Sequence, residues 1–209
     1  MIDWTTLITY IAIVLGFVFI PGPATLLTVA RATSSGTKVG IATGAGVAAG
    51  DVIHTFMAII GISAIIAASA ALFTIVKYLG AAYLVFLGLQ AILAKTPSDP
   101  TAARALPITA QRAFRQAILT EVLNPKTALF FLAFLPQFVR PENGAVALQL
   151  AVLGTVFVLL GLLSCVVFAV TSGGLGRFLR RHPTVLRWQG KIVGSIYCAL
   201  GVRLALQER

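Results

Sequence analysis

The stretch LGFVFIPGPATLL, residues 15–27, decides the fold class of this chain, because an apolar helix meets Pro21, Gly22 and Pro23 there and then resumes. Proline lacks the backbone N–H and clashes with the preceding turn, and glycine adds backbone freedom. The motif therefore frees several backbone groups from the helical hydrogen bonds. Inside a bilayer no water can satisfy those groups, and each one is costly if left bare. The interruption is thus expected to face neighbouring helices or a wet cavity.

A second interruption, at Asn124, Pro125 and Lys126, lies inside another apolar segment. Two interrupted helices in corresponding positions of the two halves of a membrane protein are typical of secondary transporters, whose binding site lies at the broken ends. The two breaks are therefore predicted to form one substrate site.

The composition places the chain in a lipid bilayer. Of its 209 residues, 58% are hydrophobic and 11% are charged. Apolar segments of about 20 residues, the length of a transmembrane helix, recur along the chain. The net charge of +10 does not indicate a nucleic-acid partner, because the basic residues fall in short loops between apolar segments, as they do in membrane proteins.

The predicted fold is an all-α membrane protein of six transmembrane helices in two inverted three-helix repeats, with helices 1 and 4 broken. The predicted spans are residues 5–30, 39–68, 73–93, 114–136, 145–171 and 188–206. A single transporter domain, residues 1–209, then has a first repeat at 1–94, a connecting loop at 95–113 and a second repeat at 114–209. Lys and Arg concentrate in the loops after spans one, three and five, so both termini are predicted to lie outside the cytoplasm. An odd number of spans in each repeat inverts the second copy.

Asp51 lies about twelve residues into the second span, which at about 1.5 Å per residue places it roughly 18 Å deep, near the middle of the bilayer. A charged side chain there costs at least about 2.5 kcal/mol, so Asp51 is expected to face a cavity or to carry a proton. His54, one turn later, shares the helix face and is expected to hydrogen-bond Asp51. We predict these two as proton-coupling residues; the alternative is a structural hydrogen bond between helices. One Asp and one His are too few for a metal site.

Glu121, Asn124 and Lys126 supply the second polar cluster. Glu121 and Asn124 are one turn apart on a helix, and Pro125 frees the carbonyl of Glu121 from its usual donor. The ammonium group of an amino acid suits a carboxylate and a free carbonyl, and its carboxylate suits Lys126 or a helix N-terminus. The alternative is an internal Glu121–Lys126 ion pair that only holds the kink.

Taken together, these motifs resemble the LysE/RhtB superfamily of bacterial amino-acid exporters, and more closely its homoserine/threonine-type branch. The matching pieces are Pro21-Gly22-Pro23, the glycine-rich residues 36–50 that lead to Asp51 and His54, residues 79–84, Asn124-Pro125-Lys126 and residues 135–138. The resemblance implies a carrier in the bacterial inner membrane, and not an enzyme, that exports small neutral amino acids or their analogues in exchange for protons. It implies no cofactor and leaves assembly into a homo-oligomer open.

Mapped onto this chain, the resemblance implies a substrate site made of Pro21, Gly22, Pro23, Asp51, Asn124, Pro125 and Lys126, to which the physical argument above adds Glu121. The family usually carries Asn or Asp directly after the Pro-Gly-Pro motif, where this chain has Ala24. The loss of that polar group leaves the identity of the amino acid and of the coupling ion open.

Other classes of function fit the sequence less well than export of an amino acid. A related branch of the superfamily carries electrons through paired membrane cysteines, but Cys165 and Cys198 have no C-x-x-C spacing and lie outside the broken spans. An exporter of another small polar solute or of a metal ion stays a further alternative. An intramembrane enzyme would need a catalytic constellation, and His54 and His182 are predicted to lie far apart in depth.

Overall fold

The computed structural model describes residues 2–19, 22–68, 70–93, 106–181 and 183–206, which form helices and no strand. The helices are α1 (Trp4–Val18), α2 (Pro23–Ser35), α3 (Thr37–Ala68), α4 (Ala70–Leu93), α5 (Ala110–Val122), α6 (Pro125–Leu129), α7 (Val146–Arg181) and α8 (Pro183–Leu206). A π-helical segment, Phe130–Phe134, and two 3-10 turns, Leu135–Phe138 and Pro141–Asn143, connect α6 to α7. The all-α prediction is confirmed for these residues.

The first helix is capped at its start and broken where the sequence predicts. The backbone N–H of Thr6 donates a hydrogen bond of 2.8 Å to Asp3, which keeps the pKa of this exposed carboxyl below its usual value. α1 ends at Val18, and α2 begins at Pro23 after a bend of 54°. Proline is favoured in the first helical turn, where its missing N–H leaves no hydrogen bond unmade. Pro21 lies outside the described residues.

The fourth predicted span is also bent, by 46°, between α5 and the segment that begins with α6. α5 begins at Ala110, four residues before the predicted start of the span, because Thr109 caps it by accepting a hydrogen bond from the N–H of Arg112. Residues 110–113 therefore belong to a helix and not to the connecting loop. The segment after the break continues through the π-helical and 3-10 turns to Phe138, two residues past the predicted end.

The described residues contain two to four candidate membrane spans, fewer than the six predicted. Thr37–Ser63 in α3 and Val146–Ser172 in α7 are each long and apolar enough to cross a bilayer, and each bent pair adds one if it forms a single span. α4 contributes a shorter apolar helix, Tyr78–Gln90. α8 is long enough, at 24 residues, but polar side chains such as Gln189 and Lys191 lower its hydropathy.

Two apolar clusters lie on opposite sides of the breaks. The larger one joins α1, the C-terminal half of α3, α4, the π-helical segment and the N-terminal half of α7; its aromatic members are Tyr10, Phe17, Phe130, Phe131, Phe134 and Phe157. The smaller one lies at the opposite end of α3 and α7 and consists of Val47, Ala117 and Cys165, with Ala24 and Leu27 of α2. α3 packs against α2, α5 and α7, whereas α4 packs mainly against α8. The breaks therefore lie between the larger cluster, which is rich in aromatic side chains, and the smaller aliphatic cluster.

Candidate functional site

A cavity of about 40 Å³ lies between the two helix breaks. Gly22 from the first break, Asp51 from α3, and Glu121, Asn124 and Lys126 from the second break all line it. A water molecule needs about 10–15 Å³ measured in this way, so the cavity has room for a few waters.

Asp51 and Glu121 are the two carboxylic acids of this cavity, and each is only 2% exposed. The two carboxyl groups lie against each other. Gly50 makes this approach possible, since a Cβ atom there would lie only 2.6 Å from the Cβ of Glu121. Among the described residues, Oδ1 of Asp51 has no hydrogen-bond partner. An unpaired buried acceptor is costly, so this atom is available to a ligand that donates hydrogen bonds.

Asn124 satisfies most of the polar groups at the second break. Its Oδ1 accepts a hydrogen bond of 3.1 Å from the backbone N–H of Lys126, which caps α6. Its Nδ2 donates to both carboxyl oxygens of Glu121, at 3.3 and 3.2 Å, and lies 3.2 Å from Oγ1 of Thr127. The amide thereby fixes the orientation of the Glu121 carboxyl group.

His54 contacts Glu121 and not Asp51, which corrects the sequence prediction. Its Nε2 lies 2.9 Å from the backbone carbonyl oxygen of Glu121 and donates to it. That carbonyl is the one deprived of its helical donor by Pro125, so it is not left bare for a substrate. The His54 ring also stacks on Phe131 at 5.7 Å between centroids. The helix period correctly places His54 on the face of Asp51, but the neighbouring helix decides its partner.

Lys126 connects the second break to the first. Its Nζ donates a hydrogen bond of 3.3 Å to the carbonyl oxygen of Phe17, near the end of α1, and lies 4.2 Å from the centroid of the Phe17 ring. A Cβ atom on Gly22 would lie 3.3 Å from the same Nζ. The charges of Glu121 and Asp51 act on this ammonium group. Lys126 therefore spans the cavity between the two interruptions.

The two helix ends at the first break differ in their hydrogen bonds. Ser164 of α7 donates a bond of 2.8 Å to the carbonyl oxygen of Val18, and Lys126 binds that of Phe17, so the end of α1 has partners. By contrast, Gly22 provides no side-chain cap to α2, whose first turn contains no acidic residue. Ala24 and Thr25 of this turn line the cavity. The start of α2 therefore presents backbone donors and a positive dipole end to the cavity.

The structure thus brings five of the predicted substrate-binding residues to one cavity. Pro23 and Pro125 begin α2 and α6 with exposed side chains and do not line it, and Pro21 lies outside the described residues. Sequence reasoning missed Ser164, Thr127 and Gly161, which do line it. Thr127 follows directly after Lys126, whereas nothing in the apolar run of α7 singles out the other two.

The two cysteines lie on different helix pairs, and both are free thiols. Cys165 of α7 faces Gly44 of α3, and Cys198 of α8 faces Gly88 of α4. No group of three or more potential metal ligands occurs in the part of the chain that the structure describes. The arrangement does not provide the paired cysteines that an electron carrier of this superfamily would use.

Comparison with known proteins assigns the family. Residues 15–208 match the family described as LysE type translocator. The chain belongs to this translocator family. An "uncharacterized membrane protein" of Pseudomonas aeruginosa is 31% identical over 202 residues, which are 94% of this chain and 93% of the relative. Another, YrhP of Bacillus subtilis, is 32% identical over 209 residues, 96% of this chain and 99% of the relative.

A relative with a named activity is the "leucine efflux protein" of Salmonella typhimurium, 28% identical over 202 residues, 97% of this chain and 93% of the relative. No solved structure matches the chain. The predicted membership of the LysE/RhtB superfamily is confirmed at the level of the translocator family, and the homoserine/threonine-type branch stays a prediction. Membership of a translocator family indicates a membrane transporter and not an enzyme.

Proposed function

We propose that this protein is a secondary-active exporter of neutral amino acids across the bacterial inner membrane, and that protons are the coupling ion. The observation that carries the proposal is the cavity between the two helix breaks. It holds an unpaired acceptor, Oδ1 of Asp51, and positive groups at Lys126 and the start of α2. The efflux activity named for the Salmonella relative supports an amino acid as the cargo.

The ammonium group of the cargo binds to Asp51. Its N–H groups supply the donors that Oδ1 of Asp51 lacks, and hydrogen bonds between charged groups are stronger than neutral ones. Glu121 lies close to this carboxyl group and shares the task. Asn124 is a positioning residue that holds the Glu121 carboxyl group in place through two hydrogen bonds.

The carboxylate of the cargo binds between Lys126 and the first turn of α2. A helix N-terminus without a cap offers N–H donors and a positive dipole end, and both favour an anion. Lys126 adds a full positive charge beside Gly22. Pro23 and Pro125 act at a distance from the cargo by fixing where α2 and α6 begin, and Pro21 is proposed to help to interrupt α1.

Proton coupling is assigned to the pair of Asp51 and Glu121, which revises the predicted pair of Asp51 and His54. In this scheme the pair binds the proton when no cargo ammonium group lies beside it. The cargo ammonium and the proton then compete for the same carboxyl pair. The carrier releases one as it binds the other, which couples export of the amino acid to entry of a proton. His54 is a positioning residue in this scheme, because it binds the backbone of Glu121.

The proposed topology keeps six spans in two inverted repeats with both termini outside the cytoplasm. The two broken pairs, α1–α2 and α5–α6, correspond in this arrangement, as do α3 and α7, and α4 and α8. α3 packs against α7, and α4 packs against α8, as expected if a two-fold axis relates the repeats. Large apolar side chains such as Leu26, Ile60 and Leu159 are exposed, which suits contact with lipid.

The test is efflux from proteoliposomes that contain the purified protein, are loaded with a panel of amino acids and carry an imposed pH gradient. We expect the wild-type protein to accelerate the release of neutral amino acids and the pH gradient to drive release against a concentration gradient. The Asp51→Asn variant should fold but lose the response to pH. Asp3→Asn is the matched control, because asparagine caps a helix as well as aspartate does. The proposal would be refuted if, for every amino acid, release were no faster than from loaded liposomes that lack the protein.

A further inference from the structure

We propose that Gly161 of α7 is a specificity-determining residue, which keeps the Asp51 carboxyl group open to the ammonium group of the cargo. This inference rests on the proposed function. Gly161 is buried and lines the cavity. A Cβ atom at this position would have a single near neighbour, Oδ2 of Asp51, at 3.2 Å. The missing side chain of Gly161 therefore leaves space at the carboxyl group itself.

Other glycines on the packed faces of these helices serve a different purpose. A Cβ atom on Gly154, two turns before Gly161, would collide with Thr55 of α3. One on Gly44 would lie 2.7 Å from the Cβ of Cys165. These residues let helices approach each other closely, as small residues do in membrane proteins. Gly161 differs because, among the described residues, the only atom from another helix within 4 Å of a Cβ atom placed on it is Oδ2 of Asp51.

The chemistry of Asp51 explains why space is needed there. Glu121 lies close to the Asp51 carboxyl group, and Gly161 faces its Oδ2 atom. Hydrogen bonds from an ammonium group to a carboxylate are about 2.7–2.9 Å long, so the nitrogen must come close to the carboxyl oxygens. A methyl group on residue 161 would occupy this approach and push the carboxyl group away. The site then selects cargo with an unsubstituted ammonium group.

The experiment compares the affinity of the protein for two ligands of the same shape. One is the neutral amino acid that the wild-type protein exports fastest from the panel, and the other is its α-hydroxy acid analogue, in which a hydroxyl replaces the ammonium group. In Gly161→Ala we expect the affinity for the amino acid to fall about tenfold, as for a weakened charged hydrogen bond, and that for the hydroxy acid to change less than about twofold. An equal loss for both ligands, or no loss for either, would overturn the inference.

Two matched variants separate this role from packing. Gly61→Ala introduces a methyl group into open space on α3, so affinity should be unchanged and helix propensity should slightly favour the variant. Gly154→Ala should lower the thermal stability through its collision with Thr55, without changing the ratio of the two affinities. A changed ratio in Gly154→Ala would show that the ratio reports packing, and would overturn the assignment to Gly161.

A measurement on the wild-type protein does not depend on the folding of a variant. The N-methylated form of the same amino acid replaces one N–H donor at the Asp51 carboxyl group with a methyl group, so it should bind about tenfold more weakly. Equal binding of the N-methylated form would refute the inference while the export of amino acids stands. If the wild-type protein transports no amino acid, the proposed function fails first and this inference fails with it.

Discussion

The two interruptions in this chain have the same cause, proline in an apolar helix, but they end in opposite chemistry. At the second break Asn124 caps the start of α6 and also holds the Glu121 carboxyl group. At the first break Gly22 precedes α2 and provides no side-chain cap. At the second break, the Asn124 side chain satisfies a backbone N–H group at the start of α6. At the first break, the start of α2 presents its N–H groups to the cavity.

This difference assigns different tasks to the two breaks. A break whose polar groups are satisfied internally is rigid, and it can hold a carboxyl pair in a fixed orientation. A break with uncapped donors binds an anion when one is supplied. Lys126 acts on both breaks. It belongs to α6 at the second break, and its side chain reaches Phe17 and Gly22 at the first break. The comparison therefore predicts unequal effects of substitution at the two breaks.

Substitution of Lys126 should have the largest effect, because it acts on both breaks. Lys126→Met removes the charge that binds the cargo carboxylate and the donor to the Phe17 carbonyl. A hydrogen bond to a charged group contributes about 1.5–3 kcal/mol, so the rate of export at low substrate concentration should fall roughly 10- to 150-fold. Initial efflux rates from proteoliposomes measure this. Lys191→Met, at an exposed site beside Trp188, should stay within about twofold of the wild-type protein. A similar loss in both variants would contradict the assigned role of Lys126.

Removal of the Asn124 side chain at the second break should lower both stability and transport. Asn124→Ala loses the cap of α6, which is worth about 0.5–2 kcal/mol, and leaves the Glu121 carboxyl group without its amide donor. Reversible unfolding in mixed micelles measures the change. Asn124→Ser keeps a capping oxygen but not the amide donors, so it should recover part of the stability and little of the transport. Full recovery of transport in Asn124→Ser would show that the amide donors are not needed.

Ser164 tests the satisfied end of the first break and should have a smaller effect. Ser164→Ala removes the bond to the Val18 carbonyl, a change of about 0.5–1.5 kcal/mol in the free energy of unfolding. Ser172 provides the matched control on the same helix, because its hydroxyl bonds to Ala169 of its own helix at 2.9 Å. Ser172→Ala should therefore change stability less than Ser164→Ala. The reverse order would mean that the bond between α7 and α1 does not hold the break.

The positions of the breaks could be predicted from the sequence because proline acts locally. Its missing N–H and its ring determine where a helix ends whatever surrounds it, and both bends occur where Pro23 and Pro125 predict them. The gathering of Asp51, Glu121 and Lys126 was also predictable, since buried charges in a bilayer collect in a common polar site. These features follow from the chain without knowledge of its neighbours.

The partner of each polar group could not be predicted in the same way. The helix period gives the face on which His54 lies, but its bond to Glu121 depends on the close contact of α3 and α5 at Gly50. Ser164 and Gly161 lie in an apolar run where nothing distinguishes them from packing residues until α7 is placed against α3. The start of α5 was missed because Thr109, a capping residue, lies in a stretch that composition alone assigns to a loop.

Ala24 tests the open end of the first break and should have the smallest effect on stability. Ala24→Asp places a carboxylate in the first turn of α2, where the helix dipole favours it by about 0.3–1 kcal/mol, so stability should rise slightly. The same carboxylate occupies the donors and the Lys126 charge that the cargo needs, so the affinity for the amino acid should fall. Ala24→Asn, which adds no charge, should lower the affinity less. Unfolding and binding measurements on the three proteins test this prediction, because undiminished affinity in Ala24→Asp would mean that the cargo carboxylate binds elsewhere than at the start of α2.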